Sequence, residues 1–138
     1  MSRHETINPE SLGAPKGYSN GVLASPGRLL FVAGQIGWGP DQKLVSDVFV
    51  DQFGRALENV AMVVTAAGGE PSDICRLTIY VTDKRAYVAD PKAVGRAYRA
   101  VMGRHFPAMA LVEVADLLEP GAQVEIEATA VIPERSTP

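Results

Sequence analysis

One short segment restricts the possible folds of this chain more than any other. Every residue from 29 to 33 is apolar, in the order Leu-Leu-Phe-Val-Ala. The segment lies within a predicted strand over residues 28–36. Because neighbouring side chains of a strand point to opposite faces, a strand that is apolar at consecutive positions needs cover on both faces.

The other periodicities predict a single domain over residues 1–138, a length typical of one domain. The predicted order is β-β-α-β-α-β-β, with strands at 17–25, 28–36, 74–81, 108–114 and 124–131, and helices at 47–67 and from 90 to Gly103. Ser46 and Asp47 are candidate caps of the first helix, and Pro91 takes the first position of the second. Residues 1–16 and 133–138 are expected to be loose ends.

This order predicts an α+β fold with two helices on one face of the sheet. Two helices cover only that face, and no further element remains to cover the other. Since the apolar strand needs cover on both sides, self-association is the simplest way to provide it. We therefore expect an oligomer.

Composition excludes several classes of protein. The net charge of −3 lacks the basic footprint of a nucleic-acid-binding protein, so nucleic acid is not an expected partner. No apolar run is long enough to cross a bilayer and no signal peptide opens the chain, so no membrane partner and a cytoplasmic location are expected. The single cysteine, Cys75, excludes an internal disulfide and a multi-cysteine zinc site. It shares strand parity with Leu77 and Ile79, which predicts an inert buried thiol.

The last strand carries the most suggestive side chains. Alternation places Glu125 and Glu127 on one face, opposite an apolar face. If the last two strands pair as an antiparallel hairpin, Met109 and Glu125 lie on the same side. A carboxylate on a covered face has a raised pKa and can act as a general acid or base. The alternatives are a glutamate paired with an arginine of another subunit and a solvated one.

Other candidates are weaker. His105 at a helix-to-strand corner is a candidate base or an ordinary surface residue. No metal-ligand spacing links it to the other histidine, so neither a metal nor a cofactor is expected. One helix face holds three basic residues, which are Lys92, Arg96 and Arg99; it is either a solvated face or an anion site. Trp38 lies in a loop, and the two interpretations of it are that it forms the wall of a pocket mouth or that it anchors an interface.

Several short segments together are typical of one family. They are residues 17–22, 31–36, 56–60, 66–68, 106–108, 112–115 and 124–131. In this order they resemble the Rid family, the reactive-intermediate deaminases also called the YjgF family. The resemblance implies a chorismate-mutase-like α+β fold and a homotrimer whose sheets form a central barrel. It also implies small-molecule clefts between subunits.

The resemblance further implies a reaction and a site. Deaminases of this family hydrolyse imines and enamines derived from amino acids, releasing ammonia and a keto acid. Tyr18 matches a tyrosine that lines the cleft, and Glu125 matches a glutamate that works with a bound water. Gly34 and Gln35 match the strand end that borders the cleft.

The chain departs from the family pattern at four positions. Met109 stands where the family has an arginine that holds the substrate carboxylate, and methionine offers neither charge nor a bidentate fork. Ala33, Gly95 and Leu111 replace an expected hydroxyl, amide and small polar or thiol group. The cleft is therefore expected to be more apolar. Arg104, or an arginine of a neighbouring subunit, is a candidate replacement for the lost cation.

Three functions are open as hypotheses. The first is an atypical Rid enzyme that hydrolyses a small imine, enamine or related C–N compound lacking an essential carboxylate, with Glu125 activating water. The second is a trimeric module that binds a small metabolite without turnover. The third is the endoribonuclease or translation-inhibitor activity formerly attached to the family. The negative charge opposes the third hypothesis, and the basic helix face favours it.

Overall fold

The computed structural model describes residues 2–134. Its strands are β1 (Glu5–Ile7), β2 (Gly21–Leu23), β3 (Arg28–Ile36), β4 (Ile74–Val81), β5 (Ala108–Glu113) and β6 (Val124–Ile132). Its α-helices are α1 (Phe49–Ala66), α2 (Lys84–Ala89) and α3 (Pro91–Met102), and short 3-10 turns cover Glu10–Leu12 and Pro71–Asp73. The two long helices, α1 and α3, pack against each other, and α1 lies on the sheet. The predicted α+β class is confirmed.

The main sheet is mixed and has the order β3-β6-β4-β5. β6 is antiparallel to β3 and β4, whereas β4 and β5 are parallel. The predicted hairpin of the last two strands is therefore wrong. A parallel pair needs a long crossover, and the two helices between β4 and β5 supply it, which leaves β6 to enter the middle of the sheet.

One face of the sheet packs beneath the helices. The apolar side of α1 contributes five nearly inaccessible residues, which are Phe53, Ala56, Leu57, Val60 and Val64. They join alternate residues of β4 and β6, such as Leu77, Ile79 and Ile126, in a single core. This is the arrangement that the alternation of β6 predicts, with small apolar side chains under a helix. This side of the sheet is named the covered face.

The opposite side of the sheet, named the free face, is not covered by any helix of residues 2–134. Leu29 is 58% exposed and Phe31 is 73% exposed. By contrast Val32, which belongs to the covered face of the same strand, is 4% exposed. Val112, on β5, is 43% exposed. The prediction that a single chain leaves one face of the apolar strand uncovered is confirmed.

The N-terminal segment differs from the expectation of a loose end over residues 1–16. β1 pairs with β2 in an antiparallel ribbon, which also shortens the predicted strand over 17–25. His4 is buried, and the Arg3 guanidinium donates to the Pro26 and Val131 carbonyls at 2.7 and 3.0 Å. These long-range bonds are invisible in the local pattern. Of the expected loose end at 133–138, residues 135–138 lie outside the described residues.

Helix boundaries follow local capping chemistry. The Asp90 side chain accepts from the backbone N–H of Ala93, with Pro91 at the first position as predicted. Helix α1 begins after Val48, so neither of the two predicted caps is its N-cap residue. Helix α2 is absent from the predicted order, because six residues are too few to show a helical period.

Candidate functional site

Glu125 lies on the free face of the sheet. It is half-buried on β6, in register with Tyr80 of β4. In-register neighbours of a sheet point to the same side, and Tyr80 alternates with the buried Ile79 and Val81. Within residues 2–134, the Glu125 carboxylate has no hydrogen bond or ion pair, so it is available to a ligand or to another chain.

A β-bulge in β3 lies beside this carboxylate. The register with β6 shifts between Val32 and Gln35, so that Ala33 and Gly34 together face one residue of the partner strand. A Cβ atom on Gly34 would lie 2.6 Å from Oε2 of Glu125, which only glycine avoids. The Gln35 amide donates to the Ala33 carbonyl at 3.2 Å. Bulges of this kind redirect backbone and side chains next to active sites.

The second carboxylate of β6 is already engaged. The Tyr80 hydroxyl donates to Oε1 of Glu127 at 2.7 Å. This hydrogen bond is the main cause that raises the pKa of Tyr80, and desolvation and the charges of Glu127 and Glu125 add to it. Tyr80 was not among the predicted site residues. Its place between the apolar Ile79 and Val81 is nevertheless a signal in the sequence, because it puts a hydroxyl group on the face opposite to those two side chains. Of the two glutamates, only Glu125 is therefore free to act.

The covered face has a cavity of about 410 Å³, bounded by α2, α3 and the start of β5. The residues that line it are mostly apolar or aromatic and are Gly17, Phe53, Ile79, Tyr87, Val88, Pro91, Val94, Gly95, Tyr98, Arg99, Phe106 and Met109. Two predicted site residues, Gly95 and Met109, therefore share one cavity.

Met109 and Glu125 lie on opposite faces of the sheet, contrary to the sequence expectation. Met109 is in register with Leu77, and Leu111 is in register with Ile79, both of which belong to the buried core. The expectation fails because it assumed a β5–β6 hairpin, whereas β4 separates these strands. A site that uses both residues needs contributions from two copies of the chain.

Tyr18 lies near the start of β5, on the side of a second depression. That depression, of about 610 Å³, is also lined by Arg104 and His105. Ser19 fixes the segment, since its N–H donates to the Pro107 carbonyl at 3.1 Å. Arg104 does not line the cavity that holds Met109. The predicted residues thus occupy three places in one chain: the bulge beside Glu125, the cavity that Met109 shares with Gly95, and the second depression, which holds Tyr18.

Two other candidates have structural roles. His105 is half-buried with Nε2 2.6 Å from the Ile74 carbonyl, and burial lowers its pKa. It therefore ties the α3–β5 corner to β4. Cys75 is half-buried at a register shift between Ile74 and Arg76, outside the core stripe that its parity predicts, and burial raises the pKa of its thiol. A raised pKa disfavours the thiolate, so Cys75 is a poor nucleophile.

The described part of the chain has no cluster of three His, Cys, Asp or Glu side chains grouped so as to hold a metal ion. None of its helices has the length and apolar character needed to cross a membrane. Trp38 is half-buried in its loop, and its carbonyl accepts from the Asn59 amide at 2.9 Å, which orders the loop after β3.

Comparison with known proteins identifies the family. The model of the family described as Endoribonuclease L-PSP matches residues 9–132. The chain belongs to this family, which is the Rid (YjgF) family. The matched range of this Rid chain contains the predicted site residues of all three places.

Several curated relatives of this Rid chain are named as deaminases. The human 2-iminobutanoate/2-iminopropanoate deaminase is 32% identical over 120 residues, which is 86% of this chain and 82% of the relative. The protein of the same name from Salmonella typhimurium is 36% identical over 131 residues, covering 92% and 97%.

Solved structures of the family have the same fold. The Rid protein YyfB from Yersinia pestis superposes with a TM-score of 0.84 at 32% identity, covering 94% of this Rid chain and 98% of that one. E. coli TdcF, solved with bound serine, gives a TM-score of 0.64 at 34% identity, covering 90% and 92%. The family resemblance of the sequence is thereby confirmed.

Proposed function

We propose that this Rid chain hydrolyses the C=N bond of an imine, or of its enamine tautomer, in a cleft between copies of the chain. Glu125 is the proposed general base. The observation that carries the proposal is its carboxylate, which lies against the Gly34 bulge and has no partner within residues 2–134. The reaction class is supported by the curated relatives that are named as 2-iminobutanoate/2-iminopropanoate deaminases.

The proposed reaction needs only a base, a water and a substrate nitrogen. Glu125 takes a proton from water as the water oxygen attacks the imine carbon and the C=N π electrons move to nitrogen. The protonated Glu125 passes this proton to the nitrogen, which gives a neutral carbinolamine. Glu125 then takes the hydroxyl proton of the carbinolamine as the carbonyl forms and delivers it to the nitrogen as the C–N bond breaks, so that ammonia leaves and the carboxylate is restored. A positioned general base contributes about 10²–10⁴-fold to such a step.

The proposed cleft is completed by a second copy. Glu125 and Met109 lie on opposite faces of one chain, so a neighbouring chain must bring the two groups together. The exposed Leu29, Phe31 and Val112 offer an apolar surface for that neighbour. We propose a homotrimer with the free faces of the sheets turned towards a central barrel.

The proposed substrate has an apolar substituent. The cavity beside Met109 is lined mainly by apolar side chains, and Met109 offers no charge to a carboxylate. The relatives are named after 2-iminobutanoate and 2-iminopropanoate, which both carry a carboxylate. We expect this chain to differ from them in how it holds its substrate rather than in the bond it hydrolyses.

The test is ammonia release from imines generated in the assay by an amino-acid or amine oxidase. The wild-type protein should accelerate release for at least one imine with an apolar substituent. Glu125→Gln should lower that acceleration by about 10²-fold or more, because the amide cannot take the proton. Glu127→Gln is the matched control, since its carboxylate is held by Tyr80, and it should retain most of the activity.

A module that binds a metabolite without turnover is the second candidate. The observation in its favour is Met109, which offers no charge where β5 lines the cavity. It would be supported by tight binding of a carbonyl product with no acceleration of ammonia release for any imine. Equal release by the wild type and Glu125→Gln would contradict the enzymatic proposal.

A further inference from the structure

We propose that Arg99 is the anion-binding group of the cavity, so that the ligand is a monocarboxylate with an apolar body. The inference rests on the proposed function and deepens it by naming the substrate class. In this arrangement the positive charge lies on helix α3 and no longer on strand β5. The carboxylate binds at Arg99, and the apolar body fills the space beside Met109.

The geometry around Gly95 supports this assignment. Arg99 follows Gly95 by four residues on α3, one helical turn later. Its guanidinium folds back over the glycine, where a Cβ atom would lie 3.0 Å from Nη1 and 3.6 Å from Nη2. Long helical side chains lean in this direction, towards the N-terminus. Gly95, which stands where the family resemblance implies an amide side chain, therefore also leaves room for the Arg99 guanidinium.

The charge of Arg99 is unopposed in the cavity. No Asp or Glu is among the residues that line it. Within residues 2–134, the guanidinium makes neither a hydrogen bond nor an ion pair. The hydroxyl of Tyr98 is already used, since it donates to the His105 carbonyl at 2.6 Å. The planar fork of an arginine matches a carboxylate with two parallel hydrogen bonds.

The dimensions of the cavity indicate the other half of the ligand. A volume of about 410 Å³ falls within the range of small-molecule sites, which is about 300–1,000 Å³. Its walls include Phe53, Ile79 and Val94, which belong to the buried core. An anion as small as acetate leaves this apolar surface unused. A carboxylate with several apolar carbons uses both the charge and the walls.

Binding of unreactive probes tests the inference without requiring turnover. Isothermal titration calorimetry should show hexanoate binding at least about tenfold more tightly than hexanamide or acetate. Arg99→Gln should weaken hexanoate about tenfold or more and leave hexanamide unchanged. Arg96→Gln is the matched control, because both arginines are exposed on the same helix but Arg96 does not line the cavity.

A second variant displaces Arg99 without removing it. Gly95→Asn places a side chain where the guanidinium lies, so it should also weaken hexanoate about tenfold. Hexanoate affinity that is unchanged in both variants overturns the inference, as does equal binding of hexanamide and hexanoate by the wild type. Arg99-dependent hexanoate binding without ammonia release from any imine leaves this inference standing and contradicts only the enzymatic proposal. Ammonia release together with a hexanoate affinity that does not depend on Arg99 contradicts only this inference.

Discussion

The two faces of β6 differ in burial and in chemistry. On the covered face, the five alternate residues Val124, Ile126, Ala128, Ala130 and Ile132 are at most 5% exposed. On the free face, the residues between them are half-buried and include two carboxylates. A single strand thus supplies the core with one set of side chains and leaves the other set on the free face, where we propose that a second copy and a ligand bind.

This contrast separates the face that stabilises the fold from the face to which we assign the proposed chemistry. The covered face excludes water with aliphatic side chains, and its burial stabilises the single chain. The free face keeps Glu125 without a partner and leaves Phe31 mostly exposed. An exposed phenylalanine of this kind costs little in the monomer but offers apolar area to an interface. Substitutions that alter one face and leave the other intact can therefore test the division.

The largest expected effect is on assembly. Phe31→Asp introduces a charge on the exposed apolar surface, where desolvating it in an interface is costly, so we expect the proposed homotrimer to dissociate into monomers. Size-exclusion chromatography with light scattering measures the mass, which should fall to that of one 14.7 kDa chain. Circular dichroism should remain that of a folded protein, because the covered face is unchanged.

Leu118→Asp is the control for this experiment. Leu118 is 99% exposed in the turn before β6, outside the free face of the sheet, so its substitution should leave the mass unchanged. A Phe31→Asp protein with the full oligomeric mass would contradict the assembly proposal. A wild-type protein that is monomeric at all concentrations tested would do so as well.

The second prediction concerns stability and compares adjacent residues of β4. Leu77 is fully buried on the covered face, and Leu77→Ala should lower the free energy of unfolding by about 2–5 kcal/mol through lost burial and a residual cavity. Thr78 points to the free face, and Thr78→Ala should change it by at most about 1 kcal/mol.

Urea denaturation measures both values. Both substitutions belong in the monomeric Phe31→Asp background, since assembly would otherwise contribute to the apparent stability. Similar losses for the two variants would show that the faces do not differ in their contribution to the fold.

The covered face was largely predictable from the sequence. The bounds of β3 and β4 agree with the predicted strands at 28–36 and 74–81, because runs of β-branched and aromatic residues are local signals. The apolar side of α1 and the alternation of β6 are also local patterns. These local patterns predict which side chains are buried, but they do not predict which strands are neighbours in the sheet.

The free face and the cavity depended on information that is not local. The parallel pairing of β5 with β4 comes from a crossover, and it places Met109 away from Glu125. The bulge at Gly34 and the folding of Arg99 over Gly95 are packing details, which a single sequence does not encode as a pattern. The family resemblance nevertheless named Glu125, Gly34, Gly95 and Met109 as site positions, although it could not say which share a face.

The smallest expected effect is a change in the pKa of one tyrosine, and it compares a tyrosine on the free face with one on the covered side. Tyr80 on the free face and Tyr98 on the covered side both have a raised pKa, but for different reasons. The main cause for Tyr80 is its hydrogen bond to the Glu127 carboxylate, whereas the main cause for Tyr98 is burial. Glu127→Gln removes the negative charge, so the pKa of Tyr80 should move down towards its ordinary value while that of Tyr98 stays.

Ultraviolet titration of phenolate absorbance measures this shift, and the transition that disappears in Tyr80→Phe is assigned to Tyr80. A phenol with a raised pKa in the folded state favours folding below its ordinary pKa, and this contribution is lost as the pH rises through the folded value. The alkaline limb of stability should therefore depend less on Tyr80 in Glu127→Gln than in the wild type. A Tyr80 transition that stays in place would mean that burial, and not the carboxylate, governs both tyrosines, and the electrostatic distinction between the two faces would then be wrong.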